Sequence, residues 1–516
     1  MADTLEDQFK AYGIAQVLVI LKDMPSATAA APLGLAAAIP VTASRMIAAH
    51  AVPVVRKLAR HFRTSEYSAD SGIALQASAR NIESAGEHWY KHAEIKSDPT
   101  PPMRYFPHLG IMLGTVDRRG ATALANHPQV SDVVAPPVLR PIRPVVIKPV
   151  ALLAASAQPT YTWGIRRLKA DQLHAQGITG AGVVVGHLDT GADGSHPALQ
   201  NAFQAFAQFD NFGFQVSPTP DPPIDSGEHG THTAGTIAGR DSDGHRIGMA
   251  PDAKLASAMV IEGGNTTARI LAGMDWIIGE KARILSMSLG YPGYTEDFLP
   301  LTQLLRSKGV LPVFAVGNEG PGTSRSPGNY PEALSVGAMD NTEHVADFSS
   351  SRRFNRPDNP LVPDLVAPGV DVISAKPGGG FQSMDGSSMA TPHIAGLAAL
   401  LMSKVPGATI DEIETAIFDS CTQLPGESVE RQNRGVPDAV KALGLLESPT
   451  AVLPASAPAR ARPAAGRKKK AKKKSAPKKA GSKKSAKNKA AAKKVAGKKA
   501  AKRSKKKTVK KKAARR

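Results

Sequence analysis

Apolar and polar positions along this chain follow two different rhythms. Residues 15–23 (AQVLVILKD) form a nearly unbroken apolar run rich in valine, isoleucine and leucine, which predicts a strand. Residues 108–116 (HLGIMLGTV) predict a second strand, 118–126 a short helix, and the VSDVVAP run beginning at Val130 a third strand. Between the first two strands, residues 26–60 are alanine-rich and partly helical in pattern. Pro32, Pro40 and Pro53 break that run. Strand and helix alternating around a long insertion predict a small α+β domain over 1–140. Pro136, Pro137, Pro141, Pro144, Pro149 and Pro159 then crowd one stretch. Such density reads as a linker, placed at 141–160.

From 161 to 447 the texture changes. Short apolar strands are predicted at 182–188, 283–289, 310–316, 334–338 and 370–374, with helical patterns between several of them, as at 296–308 and 389–403. That alternation predicts an α/β domain with a mostly parallel sheet covered by helices on both faces. After 448 comes an Ala/Pro/Ser spacer and a Lys/Ala-rich tail with no aromatic residue. The tail lacks the apolar surface to offset ordering entropy and is expected to be disordered.

Composition sharpens this division. Of the 65 Lys and Arg residues in 516, 29 lie in 460–516, which holds no Asp or Glu. That leaves 36 basic against 44 acidic residues, a net charge of −8, in 1–459. A mildly acidic body therefore carries a polycationic tail. The single cysteine, Cys421, excludes an intramolecular disulfide and any multi-cysteine metal site. No apolar run reaches the roughly 18 residues of a membrane span. Asp3, Glu6 and Asp7 stand where a secretory signal needs positive charge, so a cytoplasmic chain is the default expectation, with export by a non-classical route as the alternative.

Three segments concentrate chemistry. Val183–Leu188 is an apolar run ending at Asp189-Thr-Gly191, at what becomes the carboxyl end of a parallel strand, where sites are built. His229-Gly-Thr-His232 opens a small-residue helix. Histidines three apart also suit a metal on one helical face, but no glutamate falls between them and no third ligand is evident, so His232 reads as a buried structural residue. Gly386-Ser-Ser388-Met-Ala-Thr-Pro392 starts an apolar helix. Serine there is commonly a helix cap, yet a nucleophile at a helix N-terminus also gains N–H groups and a dipole facing a developing oxyanion. The chain order Asp, His, Ser is one of the known orders of a hydrolytic triad. Asn318, after the strand ending at 316, offers an amide that donates to an oxyanion.

With these motifs on the page, the chain resembles the subtilisin-like serine proteases, the subtilases, over about 160–447. The resemblance extends to Gly248-Met-Ala-Pro251, Ser286-Met-Ser-Leu-Gly290, Tyr330-Pro-Glu332 and Val366-Ala-Pro-Gly369, all in family order. It implies a three-layer catalytic domain and a serine endopeptidase with Asp189, His229 and Ser388 as triad and Asn318 in the oxyanion hole. It implies no required cofactor. Ser288, Leu289, Gly290 and Ala315, Val316, Gly317 resemble the two walls of the family's specificity pocket, and their small residues lead one to expect room for a large apolar side chain. The strand pattern over 14–140 resembles an inhibitory propeptide, which makes the chain's own N-terminal region a partner beside polypeptide substrates. Structural calcium stays open and unassigned. Asp241-Ser-Asp-Gly244 presents oxygens for it, but reads equally as a surface turn.

A second class of function rests on the tail. Its repeated Lys-Lys with Ala resembles linker-histone tails, and such lysines neutralise phosphates without reading sequence. A polyanion-binding protein, with nucleic acid held by 460–516, is therefore the alternative expectation. The two classes are compatible.

Overall fold

A computed structural model describes residues 5–22, 53–63, 103–136, 139–150, 160–261, 266–357 and 359–448. The tail beyond 448 and most of the alanine-rich insertion lie outside these residues.

Seven parallel strands make the main sheet, in the order Leu365–Pro368, Leu334–Met339, Leu311–Ala315, Ile284–Met287, Val184–Asp189, Lys254–Met259, Phe203–Gln208. Its strands read as apolar runs because both faces are covered. Val185, Leu255, Ile284, Val313 and Val336 pack on one side with the helices His229–Ala238 and Ser387–Lys404. Leu188, Ala256, Leu285 and Phe314 pack on the other with Thr266–Gly279 and Leu299–Ser307. The result is a three-layer α/β architecture with a mostly parallel sheet, the layering expected from the sequence.

The expected strand at 370–374 is placed differently. Val372–Ala375 pairs antiparallel with Phe381–Asp385 in a small separate sheet. Three further strands, Phe203–Gln208, Lys254–Met259 and Leu365–Pro368, complete the seven-stranded sheet beyond those the sequence predicts.

The N-terminal residues form a four-stranded antiparallel sheet in the order Arg104–Phe106, Ile111–Asp117, Ile14–Leu21, Val130–Val134. One face of it, with Val17, Val19, Met112 and Val116, packs with Leu58, Phe62 and Leu124. The other face, with Leu18, Ile111 and Leu113, joins Phe106 and Leu109 in the cluster that contains Thr266–Gly279.

The proline-rich stretch is not a free tether. Arg140–Pro141 pairs antiparallel with Leu289–Pro292, and Val146–Pro149 pairs antiparallel with Phe381–Asp385. Pro141 and Pro149 are tolerated because they sit on added edge strands, where a missing N–H costs least. Among the described residues no helix is long and apolar enough to cross a membrane.

Candidate active site

Asp189 ends a central strand of the parallel sheet and is buried. Its carboxylate accepts from the Thr190 N–H at 2.7 Å, and His229 Nδ1 lies 2.8 Å and 2.9 Å from its two oxygens. His229 is the first residue of its helix. That start is built by Asp225, whose Oδ2 accepts from Thr231 N at 2.7 Å and Thr231 Oγ1 at 2.6 Å, and by Thr190 Oγ1, which accepts from Gly230 N at 2.9 Å. Gly230 is required here: a Cβ would fall 1.9 Å from the Gly191 carbonyl oxygen. Asp225 carries no flanking motif, and its capping role was missed in the sequence.

Electrostatics follow from this packing. Burial opposes ionisation of Asp189, but the His229 imidazole and its hydrogen bond outweigh that, so the carboxyl titrates below its ordinary range. Burial likewise disfavours imidazolium at His229, but the Asp189 charge prevails and raises its pKa. His232 is different. It is buried, its Nε2 bonds the Val372 carbonyl at 2.9 Å, and burial drops its pKa to about 3. It is a structural residue, as the motif suggested.

Ser388 is the second residue of the helix Ser387–Lys404. Its Oγ donates to Met389 Sδ at 3.3 Å, while His229 Nε2 is buried with no hydrogen-bond partner among the described residues. The Asp–His contact is thus made and the His–Ser contact is not. Asn318 is oriented by Ser387, whose N–H and Oγ both donate to Asn318 Oδ1 at 2.8 Å. A Cβ on Gly386 would lie 2.8 Å from Ser388 Oγ and 3.2 Å from Asn318 Nδ2, so hydroxyl and amide border one small space.

A peptide already lies there. Ile142 N donates to the Ser288 carbonyl at 3.0 Å, Asn318 Nδ2 donates to the Arg143 carbonyl at 3.0 Å, and Val145 N donates to the Asp385 carbonyl at 2.7 Å. Leu289 and Gly290 face Pro141 and Arg140 in register. Ser288, Leu289 and Gly290 therefore meet this segment directly. Ala315, Val316 and Gly317 behave otherwise. The Val316 N–H is taken by Val336 and its carbonyl by the Arg325 N–H. The gap between Gly290 and Gly317 holds the Arg325 stem, so the expected space for a large apolar side chain is filled.

Residues 242–245 close a tight turn by paired Ser242–His245 backbone hydrogen bonds, and Asp241 Oδ2 accepts from Arg246 Nε at 2.9 Å. Among the described residues no group of three or more His, Cys, Asp or Glu is arranged to hold a metal.

Parallel α/β layering with a carboxylate at a strand end paired to an imidazole at a helix start defines a known class of fold and site. The model of the subtilase family matches residues 180–437, and the chain belongs to that family. It is similar to Subtilisin E of Bacillus subtilis (strain 168), 35% identical over 268 residues, covering 51% of this chain and 66% of that one. The chain thus spans just under two thirds of that relative's length. Subtilisin of Bacillus pumilus is 35% identical over 268 residues, covering 92% of its length. Subtilisin Savinase of Lederbergia lenta is 36% identical over 266 residues, covering 91%.

Proposed function

We propose that the chain is a serine endopeptidase, hydrolysing peptide bonds of polypeptide substrates through an acyl-enzyme. Ser388 Oγ attacks the carbonyl. His229 takes its proton and later passes it to the leaving amine. Asp189 holds the imidazole tautomer and stabilises the imidazolium. Asn318 Nδ2 and the Ser388 N–H receive the oxyanion. The attack requires Ser388 Oγ to leave Met389 Sδ for the unpartnered His229 Nε2. The observation that carries this reading is the Asn318 amide donating to a peptide carbonyl beside Ser388, at 3.0 Å, with the Asp189–His229 pair already formed.

The same peptide supports a self-inhibited zymogen. Residues 140–149 pair with chain on both sides of the serine, as a substrate strand does. The carbonyl at Asn318 belongs to Arg143, and Pro144 follows it. The docked segment therefore occupies the cleft while offering an imide bond.

Ser388→Ala tests the reading. The variant is expected to lose both proteolysis and labelling by a serine-directed fluorophosphonate. Undiminished peptidase activity in the variant overturns the mechanism.

A further inference from the structure

Two glycines locate an unexpected side chain. A Cβ on Gly290 would meet Arg325 Cβ at 2.8 Å and Cδ at 3.3 Å. A Cβ on Gly317 would meet Glu319 Oε2 at 2.7 Å and Arg325 Cγ at 3.2 Å. The Arg325 stem therefore lies against both glycines, in the gap that otherwise receives substrate. Its backbone is fixed on both sides: the N–H donates to the Val316 carbonyl at 2.9 Å, and Arg325–Ser326 pairs antiparallel with Leu289–Pro292.

The guanidinium is held just as firmly. Arg325 Nε donates to Glu319 Oε1 at 2.8 Å, Nη2 donates to the same oxygen, and Nη1 donates to the Gly290 carbonyl at 3.2 Å. The side chain is only 15% exposed. Glu319 Oε2 in turn accepts from Asn318 N at 3.2 Å and Ser350 Oγ at 3.3 Å. Both carboxylate oxygens are thus engaged, whereas a guanidinium has five N–H groups and three donor–acceptor contacts use only part of them.

A carbonyl held by Asn318 places the side chain of its own residue over this pair. Arg143 shows the position: it shares one surface depression with Pro292, Asn318, Glu319 and Arg325. Arg143 stays exposed, as a cation must beside a buried guanidinium.

We propose that Arg325 is a specificity-determining residue. It closes the pocket to large apolar side chains and selects, immediately before the scissile bond, a residue whose side chain accepts hydrogen bonds: Glu, Asp, Gln or Asn. A phenylalanine or leucine would have to displace the Arg325 side chain, 15% exposed, from Glu319, 38% exposed, and break the three contacts that hold it. A carboxylate or amide oxygen instead completes the guanidinium's fork. This inference rests on the peptidase reading and names its substrate class.

Full-length protein is incubated, its active centres are counted by fluorophosphonate labelling, and kcat/KM is measured on quenched peptides differing only at that residue. Glu, Asp or Gln should lead Phe and Leu by about tenfold or more. Arg325→Gly should reverse the order, and Glu319→Gln, which keeps the arginine and frees its charge, should steepen the preference for Glu. Phe or Leu leading in the wild type overturns the inference, as does an Arg325→Gly ranking identical to the parent's. Labelled protein that cuts no peptide and no casein overturns the peptidase reading itself, a result distinct from either ranking.

Discussion

Asp189 has two histidines within reach, and only His229 faces the cleft. His187 lies behind it, fully buried, with Nε2 3.9 Å from Asp189 Oδ2. Burial holds its pKa below the ordinary value, so it is the neutral form that must be satisfied. Ser257 Oγ meets its Nδ1 at 2.9 Å and Thr233 Oγ1 its Nε2 at 2.8 Å. Thr233 Oγ1 also lies 3.2 Å from Asp189 Oδ2, beside the Gly230 carbonyl at 3.1 Å and the His229 carbonyl at 3.2 Å. A neutral imidazole has one donor and one acceptor nitrogen, so the hydroxyls complete a chain from Ser257 to the carboxylate. Thr233→Val keeps the shape and removes the middle link. Leaving His187 Nε2 unpaired is expected to cost about 1–3 kcal/mol, read by urea denaturation. With one donor lost, the carboxylate attracts the His229 imidazolium more strongly and raises its pKa further. In the proposed mechanism His229 acts as a base in its neutral form, so kcat/KM rises with pH through that pKa, and this limb should move to higher pH in the variant. An unmoved limb would mean that Thr233 serves packing alone. Asp189, His229, Asn318 and Ser388 were legible because each sits in a local run with small residues around it. Thr233 and Ser257 were not, being 46 and 70 positions from His187, with no local pattern to mark them. Arg325 escaped notice for the same reason. Only the pairing of its short strand with Leu289–Pro292 brings it between the two glycines.

At the scale of elements, the apolar runs at 182–188, 283–289, 310–316 and 334–338 each correspond to a strand of the parallel sheet. The strands that escaped are Phe203–Gln208, Lys254–Met259 and Leu365–Pro368. The sequences FQAFAQ and KLASAM are rich in small or polar residues with weak strand preference, and tertiary packing decides them. LVAP ends in a proline that argues against a strand locally. The proline-rich segment is the instructive case. Prolines removed the period-2 signal, while the hydrogen bonds that make it a strand come from residues more than a hundred positions away. Its hold on the cleft is testable at one bond. The Val145 N–H donates to the Asp385 carbonyl at 2.7 Å, whereas the side chain is 49% exposed and packs little. Val145→Pro removes that N–H, and Pro144 already favours the extended backbone a following proline needs. Loss of about 1 kcal/mol should open the cleft several-fold more often, giving a several-fold faster rate of fluorophosphonate labelling. An unchanged rate would show that the docked segment does not limit access to Ser388.

At the scale of the whole molecule, the unbroken apolar run at 17–21 carries more information than its strand assignment uses. A half-exposed antiparallel strand alternates apolar and polar residues; this one does not, because Val17 and Val19 face one cluster and Leu18 another. The second face is the docking surface on Thr266–Gly279. Polar contacts pin it: Leu109 N donates to Asp275 Oδ1 at 2.8 Å, Arg104 Nη2 donates to the Gly213 carbonyl at 2.7 Å, and the Arg104 guanidinium lies 3.9 Å over the Phe214 ring. Asp275 is the titratable group at this contact. Burial raises its pKa, against the opposing influence of His108, the Leu109 N–H and Arg104. Lys308 faces the same carboxylate from the neighbouring helix. The docked state therefore binds the Asp275 proton more tightly than the undocked state. Docking is at full strength below the ordinary carboxyl range and weakens as pH rises through the raised pKa. Asp275→Asn keeps an oxygen for the Leu109 N–H and removes the titration. The wild-type melting temperature should therefore fall more than the variant's between about pH 4 and about pH 8. Parallel curves for the two proteins would place the pH sensitivity of the contact elsewhere.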